Sequence, residues 1–388
     1  MAHICMVHWY YPPQRGGVET LLQNVCEELV KRDHKVTVLA AHMPGCPEKE
    51  RRDCVLVHRT KLLPSRPTNL TTKTCIDLQN FLDEFLDGVD IAHLHNFHTP
   101  QFSYQTLSLY LAARAKNVKP FLHLHGRPLL PLDKFLVSQI PWSRVIAISE
   151  WLKDRILETG IPPERVTVVY NGVDIHRFRP NIGGKMRKKL GVETEKVIFC
   201  PSRILSTTEG KIQERKNLFT LLEAASLLKR NFKNFRLLFT AIGSELFAKE
   251  TYEARDLMRE KARTFGIEEN IMLNEFSFEE MPHTYAASDL VALPSIDEPF
   301  GIVYVEGMAS SKPVIGMRSG AAPEVIQDGQ TGYLANPGDP RDLADKMLDL
   351  LSDERKAKEF GKNGRRLVEK KFSIERIVSE LEGVYLDA

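Results

Sequence analysis

The sequence predicts an α/β protein made of two doubly wound domains. Three observations carry that expectation. In the first half, short apolar runs alternate with longer stretches whose apolar residues fall at helical spacing. The second half repeats the alternation. Between them the rhythm stops at Asn171-Gly172-Val173-Asp174, and Asn-Gly is a turn signal. Strands that alternate with helices imply a largely parallel sheet covered on both faces. A chain of 388 residues is long enough for two cores.

Taken in order, Ile4–Trp9 reads as the first strand. Val18–Lys31 follows as a helix, with Leu21, Leu22, Val25, Leu29 and Val30 on one side. Val36–Ala40 is the second strand, and Ile91–Leu94, Pro120–Leu124 and Val145–Ile148 are further ones. Helices fit at Asp77–Leu86, Phe102–Ala115 and Glu150–Glu158. The turn-rich stretch Tyr170–Pro180, extending to Gly183-Gly184, reads as a linker. Beyond it, strands are expected at Val197–Cys200, Arg236–Ala241, Ile271–Leu273, Leu290–Leu293 and Pro313–Gly316. Helices are expected at Leu218–Lys229, Thr251–Phe265 and Leu343–Leu351. The two domains are therefore expected at 1–175 and 176–371.

Bulk properties exclude several classes. Hydrophobic residues make up 43% and charged residues 27%, a globular composition. A net charge of +2 gives no reason to expect nucleic acid as a partner. The six cysteines form no C-x-x-C pair and read as reduced thiols of a cytosolic protein. The alternative is a Cys46–Cys54 bridge in an oxidising compartment. No apolar run reaches the ~20 residues of a membrane span. Met1–Trp9 is broken by His3 and His8 and lacks a basic leader region, so it reads as a strand rather than a signal.

The most informative run is Pro294-Ser295-Ile296-Asp297-Glu298-Pro299-Phe300-Gly301-Ile302-Val303-Tyr304-Val305-Glu306. A buried strand precedes it. Pro299 suits the first turn of a helix, which places Glu298 on the loop and Glu306 about two turns inside. Free amides at a helix start favour an anion. A carboxylate there would repel a bare phosphate, so Glu298 suits hydroxyls, and Glu306 can reach others. A sugar, a diphosphate and a ribose together fit this pattern.

The run, Glu298-x7-Glu306 with Pro-Phe-Gly after the first Glu, resembles the donor-site signature of the family-four retaining glycosyltransferases. The resemblance implies the GT-B fold: two Rossmann-like domains, a nucleotide sugar in the cleft between them, and a last helix, at 372–388, that returns to the first domain and for which Phe372–Tyr385 is the candidate. It also implies retention of configuration and no metal or other cofactor. Donor contacts carry over to Gly17, Phe276, Phe300, Gly301, Ile302, Val303 and Glu306, and catalytic roles to His125, Arg203, Lys216 and Glu298. Gly16-Gly17 follows the first strand, where glycine lets amides approach a phosphate or sugar closely. His123 and His125 alternate onto one side of a strand end. No carboxylate or cysteine shares their spacing, so a metal site is not expected there. Arg203 and Lys216 match the family's cations, which would stabilise charge developing on the leaving diphosphate. Asn274 stands where the family has a glycine, and an asparagine tolerates the left-handed backbone that the turn would need. Ser319-Gly320-Ala321-Ala322-Pro323-Glu324 and Ser310-Ser311-Lys312-Pro313 are less glycine-rich than the family pattern, beside the expected sugar position.

The resulting expectation is a cytoplasmic, metal-independent hexosyl- or N-acetylhexosaminyltransferase, with a UDP-sugar favoured over a GDP-sugar. The acceptor is a saccharide, lipid-linked or small-molecule hydroxyl, and membrane contact is at most peripheral, at the inner face. Two alternatives stand beside it. One is another GT-B enzyme: an epimerase should lack the Glu298–Glu306 run, and a phosphorylase would need a pyridoxal lysine in a much longer chain. The other is a non-catalytic sugar-nucleotide binding module, against which Glu298, Arg203 and Lys216 argue.

Overall fold

A computed structural model describes residues 1–14, 16–64, 71–99, 102–202, 204, 214–240 and 248–388. Arg203 and residues 206–213 of the polar segment before Lys216 lie outside the described residues. The chain forms two compact units, Met1–Gly172 with Ile374–Ala388, and Val173–Ser373. It thus changes unit at 172/173 and 373/374, where the sequence pattern places the boundaries at 175/176 and 371/372.

The first unit begins β1 (His3–Val7), α1 (Gly17–Lys31), β2 (Lys35–Ala41), β3 (Lys49–Arg52) and β4 (Val55–Thr60). It continues α2 (Thr72–Phe85), β5 (Ile91–His95), α3 (Ser103–Ala115), β6 (Lys119–Leu124) and α4 (Pro131–Ser138). Then come β7 (Arg144–Ala147), α5 (Glu150–Leu157) and β8 (Val166–Val168). The sheet order is β3-β4-β2-β1-β5-β6-β7-β8, parallel except for edge strand β3. The expected strands and helices appear within a few residues of their predicted bounds. The pattern misses β3, β4, α4 and β8; the β3 residues Lys-Glu-Arg-Arg carry no apolar signal. Charge is what an exposed edge strand carries to avoid pairing with another chain.

The second unit runs α6 (Gly184–Leu190), β9 (Lys196–Cys200), α7 (Leu218–Lys229), β10 (Phe235–Thr240), α8 (Ala248–Thr264), β11 (Ile271–Asn274) and α9 (Met281–Ala287). It continues β12 (Leu290–Ala292), α10 (Ile302–Ala309), β13 (Val314–Met317), α11 (Ala322–Val325), β14 (Gly332–Ala335), α12 (Pro340–Ser352) and α13 (Glu354–Lys371). Its all-parallel sheet has the order β11-β10-β9-β12-β13-β14. Counted from β9, that is the 3-2-1-4-5-6 order of a dinucleotide-binding sheet. Helix α6 begins where the sequence suggests the end of a linker. Its Gly-Lys-Met-Arg-Lys-Lys-Leu buries only Met186, too little for an apolar stripe to show.

The last helix, α14 (Ile374–Leu386), belongs to the first unit and packs on α1. Ile374, Ile377, Val378, Leu381 and Tyr385 join Leu22, Val25 and Leu29 in one apolar cluster. Its polar edge is tied by Glu382 to Arg32 and His34, both at 2.9 Å. Among the described residues no helix is long and apolar enough to cross a membrane. Six cysteines are free, and Cys5, Cys26 and Cys200 are buried.

Candidate functional site

In an open parallel sheet, ligands bind beyond the carboxyl ends of the strands where the order reverses. In the second unit that point lies between β9 and β12, which pair directly. β12 leads into the Pro294–Gly301 loop. The chain after β9 returns in a single turn, Glu214–Lys216, just before α7. Topology alone therefore brings Lys216 and Glu298 together: Lys216 Nζ lies 2.9 Å from Glu298 Oε2. Buried Ser295 places its hydroxyl 2.7 Å from the same oxygen and 3.1 Å from the Arg215 carbonyl. Its one proton goes to the charged acceptor, the nearer and stronger of the two. The Ile296 amide donates to the Arg215 carbonyl at 2.9 Å and closes the two loops on each other.

A third loop holds Glu298 from behind. The Ala321 amide donates to the Glu298 carbonyl at 2.9 Å, and the Asp297 amide to Ser319 Oγ at 3.0 Å. Gly320 has φ +60°, and a Cβ there would lie 2.5 Å from the Glu298 nitrogen. The run Ser319–Ala321 is thus part of the site's wall, and glycine is required at 320 for both conformation and room.

Burial pushes the Glu298 carboxyl up, but the Lys216 charge, the Lys216 and Ser295 hydrogen bonds and the Arg215 charge outweigh it. The carboxylate ends below its usual range and is ionised. Glu306 is the reverse case. Burial raises it to about 7, and the Tyr285 hydroxyl that donates to it and the Arg177 charge offset this only in part. Two carboxylates of one motif thus differ in charge state because only one has an ammonium partner.

Glu306 has a stability consequence with a definite sign. Its folded pKa lies above the unfolded value, so the native state holds this proton more tightly. That contribution is complete below the ordinary carboxylate range and is lost as pH rises through about 7. Glu306→Gln is therefore expected to melt higher than the parent near pH 8, by about 1–3 kcal/mol of stability. The gap should narrow as the pH falls toward about 5. Thermal melts across that range check it, and equal Tm values at every pH would contradict the buried-charge account.

Several expectations need correction. Pro299 does not open the helix: α10 starts at Ile302, because its N-cap Gly301 is left-handed at φ +83°. A Cβ at 301 would also meet the Tyr304 ring at 2.4 Å. Glu306 consequently lies little more than one turn inside α10, not two. The Phe300 side chain is buried edge-to-face on Phe372, so only its backbone is left to face a donor. Asn274 closes β11 in register with Thr240 and is not left-handed. Phe276 packs edge-on against Phe199 and is nearly buried. Ile302 and Val303 form the first turn of α10 and are partly exposed.

In the first unit the order reverses between β1 and β5. Gly17 opens α1 beyond β1 and is exposed, after the extended N-cap Gly16. Buried Arg59 of β4 supports the preceding loop by donating to the Pro12 carbonyl at 2.7 Å. His125 follows β6, with its amide fixed by Asn96 Oδ1 at 2.8 Å. Its ring Nε2 lies 2.9 Å from His95 Nδ1. His93 and His123 are joined at 3.1 Å, and His93 also bonds the Tyr385 hydroxyl. Burial, and after it the neighbouring imidazoles, hold His95, His123 and His125 far below the ordinary imidazole value. His93 is pushed down to about 3 by burial.

Nitrogens of His93, His95 and His123 lie within 4.8 Å of one another, as a metal site would require. Yet the His93 and His95 rings are parallel, 3° apart in plane with centroids at 4.4 Å. A ligated ion sits in the plane of each imidazole, and two stacked planes cannot share it. The cluster as it stands is a stack of neutral rings.

Sequence reasoning missed Ser295, Tyr285, His93 and His95. Ser295 stands inside the signature run, where a hydroxyl three residues before a carboxylate is a visible signal. His93-x-His95 repeats the His123-x-His125 pattern at a neighbouring strand end. Tyr285 carries no local signal, since it is buried and reads as core.

Residues 186–367 match the model of the glycosyl transferases group 1, and residues 15–177 that of glycosyltransferase family 4. The chain is 27% identical to the GDP-mannose-dependent alpha-(1-6)-phosphatidylinositol monomannoside mannosyltransferase of Mycolicibacterium smegmatis, covering 92% of this chain and 91% of that one. It is 28% identical to N-acetyl-alpha-D-glucosaminyl L-malate synthase of Bacillus anthracis, covering 97% and 95%. The structure superposes on Anabaena HepE in complex with UDP and glucose over the full length of both chains, with a TM-score of 0.80 and 20% identity. Matched through both halves and along the whole length of such relatives, the chain belongs to the family-four glycosyltransferases of GT-B fold.

Proposed function

We propose that the chain is a retaining, metal-independent transferase that works in the cytoplasm. It moves a hexosyl or N-acetylhexosaminyl group from a nucleotide-diphosphate sugar to a hydroxyl acceptor. The observation that carries this reading is the Lys216–Glu298–Ser295 constellation at the switch point of a nucleotide-binding sheet. As the bond from the anomeric carbon to the diphosphate oxygen breaks, negative charge builds on the leaving group. The Lys216 ammonium stabilises that charge, and by the family resemblance Arg203 does too. Glu298, ionised by its partners, accepts hydrogen bonds from sugar hydroxyls, and Glu306 accepts them from the ribose. The acceptor hydroxyl forms the new bond on the face that the leaving group vacates. Its proton passes to the departing phosphate oxygen, which retains the configuration.

Support for the donor class comes from the relatives. HepE binds UDP and UDP-glucose, and the mycobacterial enzyme is named for GDP-mannose. A UDP-sugar is the first choice. A thermal-shift and hydrolysis panel of UDP-glucose, UDP-N-acetylglucosamine and GDP-mannose tests the reading, since a bound ligand raises Tm by mass action. At least one should stabilise the protein and be turned over, with activity persisting in excess EDTA. Activity lost in EDTA and restored by magnesium or manganese would overturn metal independence. An inverted product anomer, read by NMR, would overturn retention.

A surface feature bears on the acceptor. Leu129, Leu130, Leu132 and Phe135, at the start of α4, are 41–60% exposed. Leu107 and Leu111 are exposed on α3, whose Tyr110 touches Trp142, and Trp142 bonds the Leu136 carbonyl. Arg114, Arg127 and Lys134 lie along the same segments. The one acid there, Asp133, is turned inward onto the Leu129 and Leu130 amides. Exposed apolar side chains with cations on the same segments suit an anionic bilayer, and that favours a lipid-linked acceptor. The protein is expected to sediment with vesicles containing phosphatidylglycerol and not with phosphatidylcholine alone. Leu130→Glu/Phe135→Glu should abolish sedimentation while donor hydrolysis continues. Equal partitioning of parent and variant would remove the lipid argument.

A further inference from the structure

His125 and its neighbours carry one more consequence, which rests on the reading of His125 as a sugar-facing group. His95 is buried, and its Nε2 has no partner among the described residues. Its other nitrogen, Nδ1, meets His125 Nε2 at 2.9 Å. His125 is partly exposed, and the hydrogen bond of its ring to His95 runs through Nε2, which leaves Nδ1 on the other side of the ring.

A neutral imidazole has one N–H, so the pair allows two arrangements. If His125 Nε2 donates, His95 must carry its proton on Nε2, and a buried N–H then faces no acceptor. If His95 Nδ1 donates, only a lone pair is stranded, and the His125 proton sits on Nδ1. Orphaned buried N–H groups are rarer than under-satisfied acceptors. The same rule orders the parallel pair: His123 Nε2 is also buried without a partner, so His123 carries its proton on Nδ1 and donates to His93 Nε2.

We infer that His95 is a positioning residue: its Nδ1–H donates to His125 Nε2 and so presents His125 outward as an Nδ1–H donor. His125 can then hydrogen-bond a sugar oxygen. It cannot act as the base that deprotonates the acceptor, because Nε2 is occupied and Nδ1 already carries the proton. The ring of His123 stacks on it and fixes its plane, with centroids 4.5 Å apart and planes 27° apart. The low basicity of the whole group keeps this arrangement neutral through the physiological range.

The test uses full-length protein labelled with 15N-histidine. Long-range proton–nitrogen spectra distinguish the two tautomers, and a His125→Gln spectrum identifies the His125 signals. His125 is expected as the Nδ1–H tautomer in the parent. In His95→Leu it should shift to Nε2–H or to a mixture. With whichever nucleotide sugar the parent hydrolyses, His95→Leu should lose about tenfold in kcat at unchanged KM. His95→Asn, which keeps a donor near the Nδ1 position, should recover most of that. A parent His125 protonated on Nε2, or a tautomer unchanged in His95→Leu, would overturn the inference; the parent spectrum alone decides it if the variant fails to fold. The expected tautomer combined with normal turnover in His125→Ala would instead overturn the sugar-facing reading and leave the tautomer assignment standing.

Discussion

Lys216→Ala is expected to lower sugar transfer by roughly a hundredfold or more. The leaving diphosphate gains charge only as the bond breaks, so a fixed ammonium acts mainly on the transition state, and the loss should appear in kcat. The variant has a second cost. Glu298 is ionised because Lys216 and Ser295 outweigh its burial, and without the ammonium its carboxyl moves up toward protonation. A protonated Glu298 accepts sugar hydroxyls less well. Arg215→Ala is expected to be far milder, since its closest link to the site runs through its backbone carbonyl. A Lys216→Ala enzyme with near-parental kcat, alongside a crippled Arg215→Ala, would show that the wrong cation has been assigned. Arg203→Ala should resemble Lys216→Ala on the family resemblance.

The second large effect separates the two carboxylates. Glu306→Ala should weaken the free nucleotide diphosphate and the full donor alike, because ribose belongs to both. Glu298→Ala should abolish most transfer while sparing the free nucleotide diphosphate. It removes an anion from beside Lys216, so the diphosphate should bind at least as well as in the parent. Hydrogen bonds to a charged acceptor are worth about 1.5–3 kcal/mol, or roughly tenfold to a hundredfold in affinity. Both losses are therefore measurable and separable.

Much of this was legible in the residues. The parallel sheets follow from the alternation of apolar runs with helical stretches, and the Glu298–Glu306 run marks the loop after β12 without structural help. What could not be read are contacts set by topology. Nothing local to Lys216 says that the chain returns to Glu298, some eighty residues on; that follows from β9 and β12 being neighbours. The left-handed Gly301 delays the helix beyond Pro299, and the Tyr304 ring leaves no room for a side chain there, a constraint of packing rather than propensity. Charged α13 hides its core face because Gly361 and Gly364 stand where larger apolar residues would announce it. The histidine stack is invisible until β5 and β6 are known to lie side by side, in register at His95 and His123.

In the proposed function Glu298 serves the sugar and Glu306 the nucleotide. Calorimetric titration of UDP, and of GDP in parallel, into the parent, Glu298→Ala and Glu306→Ala tests it most directly. The expected result is parental or tighter binding in Glu298→Ala, whose transfer is nonetheless lost, and binding weakened about tenfold or more in Glu306→Ala. It is contradicted if both variants bind the nucleotide and transfer sugar like the parent, or if Glu298→Ala loses the nucleotide as fully as Glu306→Ala does.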